Sequence, residues 1–194
     1  MTRPILALDA DGVLVDLHIG YARAWQRAAV HRDDRARHVA RSVGGQEQRH
    51  LRHFLRRAQS PQRDLRLLLR QQFQHAELWE TLPAIAGAVD ACHRLHDAGY
   101  ELVCVTALEQ RFQAARARNL RALGFPIRRV IATGHAEGER SPKADAIAAL
   151  RPVAFVDDYI AYMRGVPTEV HTALVLRAPN GSPNVGDELK LVRS

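Results

Sequence analysis

Five short apolar runs punctuate the chain, each nearly continuous in its hydrophobicity. They are Ile5 to Asp9, Glu101 to Thr106, Arg129 to Thr133, Val153 to Asp157 and Thr172 to Arg177. A strand with one wet face alternates apolar and polar side chains, whereas an unbroken apolar run belongs to a strand covered on both faces. Between the runs, apolar residues recur at helical spacing. Ile85, Val89, Cys92 and Leu95 mark one face, ended by Gly99. Phe112, Ala115, Leu120 and Leu123 mark a second, ended by Gly124 ahead of Pro126. Ala144, Ile147 and Leu150 mark a third, opened by Ser141-Pro142. Strand and helix in alternation predict an α/β fold built on a doubly wound parallel sheet, a Rossmann-like core.

The interval from Leu17 to Leu82 breaks that alternation. Its apolar residues fall in helical groups: Tyr21, Trp25 and Ala28; Leu51, Phe54, Leu55 and Ala58; Leu65, Leu68, Leu69 and Phe73. Gly44-Gly45 and Ser60-Pro61 interrupt them. The expected organisation is a core of residues 1–16 and 83–194, with residues 17–82 inserted as an all-helical domain of three or four helices. Trp25 and Trp79 are expected to pack the insert and its junction. Asp16 stands where it could cap the first insert helix. The stretch after Pro179 (Asn180, Gly181, Ser182, Pro183) reads as a loop and a weakly ordered end.

Charge follows the same division. The chain carries 28 basic and 21 acidic residues, and only Lys143 and Lys190 among the basic ones are lysines. Residues 21–70 hold 13 arginines against four acids, so the net charge of +7 resides in the insert while the remainder is almost neutral. The arginines fit two readings: solvated helix faces in an arginine-biased sequence, or a grip on an anionic substrate by one or two of them, such as Arg23, Arg27 or Arg56. The insert lacks the aromatic platform of single-strand binders and any recognised DNA-binding motif, which argues against a nucleic-acid partner.

Several classes are excluded. At 194 residues, with 46% apolar and 25% charged side chains, the chain has the material for a buried core and is not disordered. No apolar run approaches the ~20 residues of a membrane-spanning helix. Cys92 and Cys104 cannot form a disulfide framework, and Cys104 reads as a small core residue. The first residues meet an acidic pair too early for a signal peptide, so the expected location is cytoplasmic. The ten histidines show no zinc-type spacing.

Chemistry gathers where the runs end. The first closes in Asp9-Ala10-Asp11-Gly12, the second in Thr106, the fourth in Asp157-Asp158, and Lys143 opens the helix between the third and fourth. In open α/β sheets ligands bind outside the carboxyl ends of the strands, so these positions converge. Four carboxylates in one place repel unless a cation joins them, and oxygen donors beside a phosphate suit Mg²⁺.

The segments ILALDADGVLVD, VCVTA, SPKADAI and VAFVDD, in that order, resemble the four motifs of the haloacid dehalogenase (HAD) superfamily. The long helical insert after the first motif is similar to the helical cap of many members. The resemblance implies a Mg²⁺-dependent phosphatase that hydrolyses a small phosphorylated metabolite, such as a nucleotide or sugar phosphate, through an aspartyl-phosphate. It assigns Asp9 as nucleophile and Asp11 as general acid and base. Thr106 and Ala107 would bind the phosphoryl group, with Lys143 offsetting charge on it. Asp157, with Asp9 and the Asp11 carbonyl, would hold the metal, and Asp158 would bind it through water or support its ligands, although which of Asp157 and Asp158 binds directly is left open. Phosphatase members carry the second acid, here Asp11, and dehalogenase members lack it. Val13 stands where many members have Thr. The segments DADGVLVD and LPAIAGAVDA are also similar to the deoxyribonucleotidase branch. The alternative function is a catalytically silent HAD-like protein that binds nucleic acid or another anionic partner through its arginine-rich insert. A response-regulator receiver is rejected by motif order, since its acidic pair precedes a separate phosphorylated Asp. The oligomeric state is left open.

Overall fold

The computed structural model describes residues 2–42, 61–135, 139–177 and 184. The expected helix around Leu51, the Gly44-Gly45 break, Arg56, Lys190 and the loop of Asn180 to Pro183 lie outside the described residues. Five strands form one sheet: β1 (Ile5–Leu8), β2 (Glu101–Thr106), β3 (Arg129–Ala132), β4 (Ala154–Asp157) and β5 (His171–Leu174). All pair in parallel, in the order β3-β2-β1-β4-β5. The helices are α1 (Leu17–Ser42), α2 (Pro61–Gln72), α3 (Ala76–Glu80), α4 (Ala88–Asp97), α5 (Gln113–Ala122) and α6 (Ala144–Leu150). Short 3-10 turns at Gln110–Phe112 and Ile160–Met163 follow β2 and β4. This is the doubly wound parallel α/β sheet that the unbroken apolar runs require. Among the described residues, no helix is long and apolar enough to cross a membrane.

Two boundaries moved for physical reasons. The expected strand from Thr172 to Arg177 ends at Leu174. Among the described residues β5 is an edge strand, and its neighbour β4 stops at Asp157, opposite Leu174. Beyond one last bond from the Val175 N–H to the Asp157 carbonyl (2.9 Å), no further strand pairing is present among the described residues, and Leu176 is exposed. Ile85, counted with the first helical face, instead sits in the turn before α4, where its N–H bonds the Leu14 carbonyl at 2.9 Å.

The chain divides into two compact units, residues 1–17 with 79–194 and residues 18–78. In the first, Ala7, Val103, Val105, Ile147 and Phe155 are completely buried and pack together. Each large side chain removed from water there contributes about 1.5–3 kcal/mol. Cys104 is buried in β2 as expected, and Cys92 is buried in α4. The segment from Trp79 to Leu82 belongs with this unit. Trp79 lies against Phe112 (ring centroids 5.9 Å apart), and the Asn119 amide donates to the carbonyls of Glu80 and Leu82, both at 2.9 Å. In the helical unit, Ala24, Ala28 and Leu69 form a small core joined by Trp25, Leu68 and Phe73. Tyr21 touches Trp25 edge-on and Phe73 obliquely.

Candidate active site

Strand order puts the chemistry together. β1 lies between β2 and β4, so the chain crosses to opposite sides of β1 and leaves a crevice at its carboxyl end. Leu8 pairs with Cys104 on one side and Val156 on the other. Asp9 therefore leaves the sheet beside Asp157, its N–H bonded to the Val156 carbonyl at 2.9 Å. Thr106 closes β2 on the other flank, almost fully buried, and Ala107 follows it, also buried.

The loop after β1 is tightly folded. The N–H groups of Leu14 and Val15 both donate to the Ala10 carbonyl, and Gly12 donates to Val15, all at 2.9 Å. The Asp16 N–H is held by the Pro83 carbonyl at 2.9 Å. Gly12 has φ +94°, a conformation that strains any residue with a side chain. A Cβ there would fall 1.9 Å from Oδ2 of Asp158. The missing side chain is what lets the Asp158 carboxylate approach the turn. Asp16 directly precedes α1, and its carboxylate pairs with Arg177 at 3.4 Å.

Lys143 is the hub. No part of it reaches solvent, and its Nζ lies 2.6 Å from Oδ1 of Asp9 and 2.6 Å from Oδ2 of Asp157. The ring of Tyr162 closes over it with its centroid 4.5 Å from Nζ. Burial pulls the pKa of the ammonium down, but the Asp9 and Asp157 carboxylates override burial and hold it above the ordinary lysine value. A lysine in a first helical turn is ordinarily solvated; this one is sealed into the site.

Oxygen atoms of Asp9, Asp157 and Asp158 lie within 4.8 Å of one another. Burial, then the charge on Asp9, pushes the Asp157 carboxyl upward against the pull of Lys143. The same two causes push Asp158 up to about 6, opposed chiefly by Arg177. Three carboxylates against one ammonium leave two negative charges in a largely buried space. Hard oxygen donors with that charge deficit fit a divalent cation such as Mg²⁺. Asp11 is also raised, by burial first, against the nearby Arg116 guanidinium and with a further push from Asp9.

Two residues that the sequence did not single out join the site. Arg116 of α5 is completely buried and donates from Nη2 to Oδ1 of Asp11 at 2.6 Å. Its position was available as a signal, four residues from both Phe112 and Leu120 on the apolar face of α5. Asn184 lies in the stretch expected to be weakly ordered, yet it is 1% exposed. Its amide donates to the Asp158 carbonyl at 2.8 Å and accepts from the Ile160 N–H at 2.7 Å, clasping the loop after β4. Of the insert arginines proposed for substrate, Arg27 pairs with Glu77 at 3.5 Å within the helical unit, and Arg23 is exposed on α1.

Among curated protein sequences, none matches the chain. Solved structures do match. One is a Thermotoga maritima protein provisionally described as a β-phosphoglucomutase, 18% identical, with TM-score 0.59 over 97% of this chain and 90% of that one. A second is a HAD family hydrolase from Deinococcus radiodurans with bound phosphate and sodium, 17% identical, with TM-score 0.52 over 89% and 79%. A third is an L-2-haloacid dehalogenase, 18% identical, with TM-score 0.52 over 97% and 91%. At these identities the likeness is one of fold. A family model for haloacid dehalogenase-like hydrolases matches residues 4–161. That span runs from β1 through the whole insert to the acids after β4, and the chain belongs to the haloacid dehalogenase-like hydrolases.

Proposed function

We propose that the protein is a cytoplasmic, Mg²⁺-dependent phosphatase that hydrolyses a small phosphorylated metabolite through a phosphoryl group carried on Asp9. The observation that carries this reading is the second acid, Asp11, held in the buried loop two residues after Asp9 by a 2.6 Å contact with Arg116. Carbon–halogen chemistry has no need of a proton donor there. Ester hydrolysis does, because an alkoxide is a poor leaving group.

In this mechanism a carboxylate oxygen of Asp9 attacks phosphorus, and the bond from phosphorus to the ester oxygen breaks. Asp11 gives its proton to that oxygen, and the alcohol leaves. Burial shifts the Asp11 carboxyl upward, the direction that favours an acid role. Asp11, now ionised, takes a proton from water. The resulting hydroxide attacks phosphorus and frees phosphate and Asp9. Lys143, with Nζ already 2.6 Å from Asp9, stabilises the charge that accumulates on the phosphoryl oxygens. Thr106 and Ala107 at the end of β2 supply hydrogen-bond donors to the same oxygens. Asp9, Asp157, Asp158 and the Asp11 carbonyl would hold Mg²⁺, which when bound neutralises phosphoryl charge. A carboxylate is a weak nucleophile, so positioning and charge neutralisation provide most of the acceleration.

The test is hydrolysis of p-nitrophenyl phosphate with and without Mg²⁺, followed by a panel of nucleotide and sugar phosphates. Wild-type protein is expected to turn over only with the metal, and Asp9→Asn to be inactive. Full activity in pure D9N protein, or halide release from 2-haloacids without phosphate release from any ester, would refute the reading.

A further inference from the structure

A buried arginine is expensive, and its environment shows what it is placed to do. Arg116 is completely enclosed, yet its Nε has no hydrogen-bond partner, the one such buried side-chain atom among the described residues. An arginine present for stability alone would have its whole fork paired, or would be replaced by an apolar side chain of similar volume at little cost. The strong contact that Arg116 makes is with Asp11, at 2.6 Å. Among the described residues, no other hydrogen bond or ion pair reaches the Asp11 carboxylate.

The guanidinium is itself aimed. Its Nη1 donates to Oδ1 of Asn119 at 3.4 Å, one turn along α5. The Asn119 amide cannot turn away, because its nitrogen is committed to the Glu80 and Leu82 carbonyls, both at 2.9 Å. The Trp79 ring covers the guanidinium, with its centroid 5.6 Å from Cζ. Two backbone carbonyls thus orient Asn119, Asn119 and Trp79 orient Arg116, and Arg116 takes one oxygen of Asp11.

We infer that Arg116 is a positioning residue that fixes the Asp11 carboxyl by binding Oδ1, so that Oδ2 is the oxygen that passes the proton to the leaving group. This rests on Asp11 being the general acid of the proposed phosphatase. A side chain that acts by aiming the acid matters in proportion to how much the leaving group needs a proton.

The experiment compares kcat/KM for an alkyl phosphate, which needs protonation, and for 2,4-dinitrophenyl phosphate, which hardly does. Wild type, D11N, R116M, R116K and D11N/R116M are measured, with inorganic phosphate inhibition and thermal melting alongside. R116M is expected to lose about 10²–10⁴-fold on the alkyl ester and less than about tenfold on the dinitrophenyl ester, the pattern of D11N. R116K, which restores a cation without the fork, recovers part of the alkyl activity, and the double variant is no worse than D11N. If R116M does not fold, R116K carries the same comparison. Equal losses on the two esters, or a loss that adds to that of D11N, would overturn the role of Arg116 while leaving the phosphatase reading in place. A D11N variant without leaving-group selectivity would overturn the acid assignment itself, and Arg116's role with it.

Discussion

Replacing Gly12 by alanine tests the geometry of the acidic cluster with a single methyl group. The new Cβ would stand 1.9 Å from Oδ2, 2.3 Å from Cγ and 2.8 Å from Oδ1 of Asp158. Contact with Cγ means that the whole carboxyl group must leave, since turning its oxygens does not relieve the overlap. Two costs add. A side chain on a residue at φ +94° costs about 1–2 kcal/mol, and pushing Asp158 off its rotamer costs about 0.5–1.5 kcal/mol. A combined loss of about 1.5–3.5 kcal/mol lowers Tm by roughly 3–14 °C in a chain of this size. Displacing Asp158 from the proposed metal site is expected to weaken Mg²⁺ binding by about 10–100-fold. Calorimetric titration with MgCl₂ measures the affinity, and scanning calorimetry of the metal-free protein measures the melting cost. Adding Asp158→Ala to G12A removes the overlap, so the double variant should keep only the backbone part of the penalty. Wild-type Mg²⁺ affinity in G12A, or a melting penalty unchanged in the double variant, would refute the cradle formed by Gly12 and Asp158.

Three further outcomes follow from the same site. Lys143→Met leaves Asp9 and Asp157 facing each other without the ammonium that touches both, and urea denaturation of the metal-free protein should show a loss of about 3–5 kcal/mol. Asp158 has its pKa raised from 3.8 to about 6, so the folded chain binds the proton more tightly than the unfolded one, and metal-free stability falls as pH rises across that interval. Asp158→Asn should therefore gain Tm relative to wild type between those values and hold the gain above them, and any rise in Tm on adding MgCl₂ at neutral pH should be smaller than in wild type; a difference in Tm that does not vary with pH would contradict the shift. Asn184→Ala removes both bonds that clasp the loop after β4 and should cost about 1–3 kcal/mol and weaken Mg²⁺ in calorimetry, with wild-type affinity as the contrary result.

Much of this architecture could be read from the residues because burial on both faces writes an unbroken apolar run. Glu101 to Thr106 is recovered residue for residue. Asp9, Thr106 and Asp157 were legible for a related reason: polar groups that end apolar runs mark the sheet edge where parallel strands stop. Arg116 escaped because an arginine in a chain with 26 of them counts as surface, and its burial depends on Asp11, far away in sequence. Asn184 escaped because a loop asparagine carries no periodic signal; its value comes from two backbone groups near Asp158. The end of β5 was overestimated since hydrophobicity does not record where a neighbouring strand runs out.

The order of the strands also has a consequence in time. Asp9 and Asp11 leave the ribosome well before β4, but β1 needs β2 on one side and β4 on the other, and β2 and β3 are both made in between. A parallel sheet closed by such distant pairings forms slowly. Until β4 docks, Asp9 lacks Asp157 beside it, and Lys143 lacks one of the two carboxylates it touches. The nascent chain therefore carries the proposed nucleophile through the synthesis of β2 and β3 without the neighbours that complete the acidic cluster, which assembles with the last central strand.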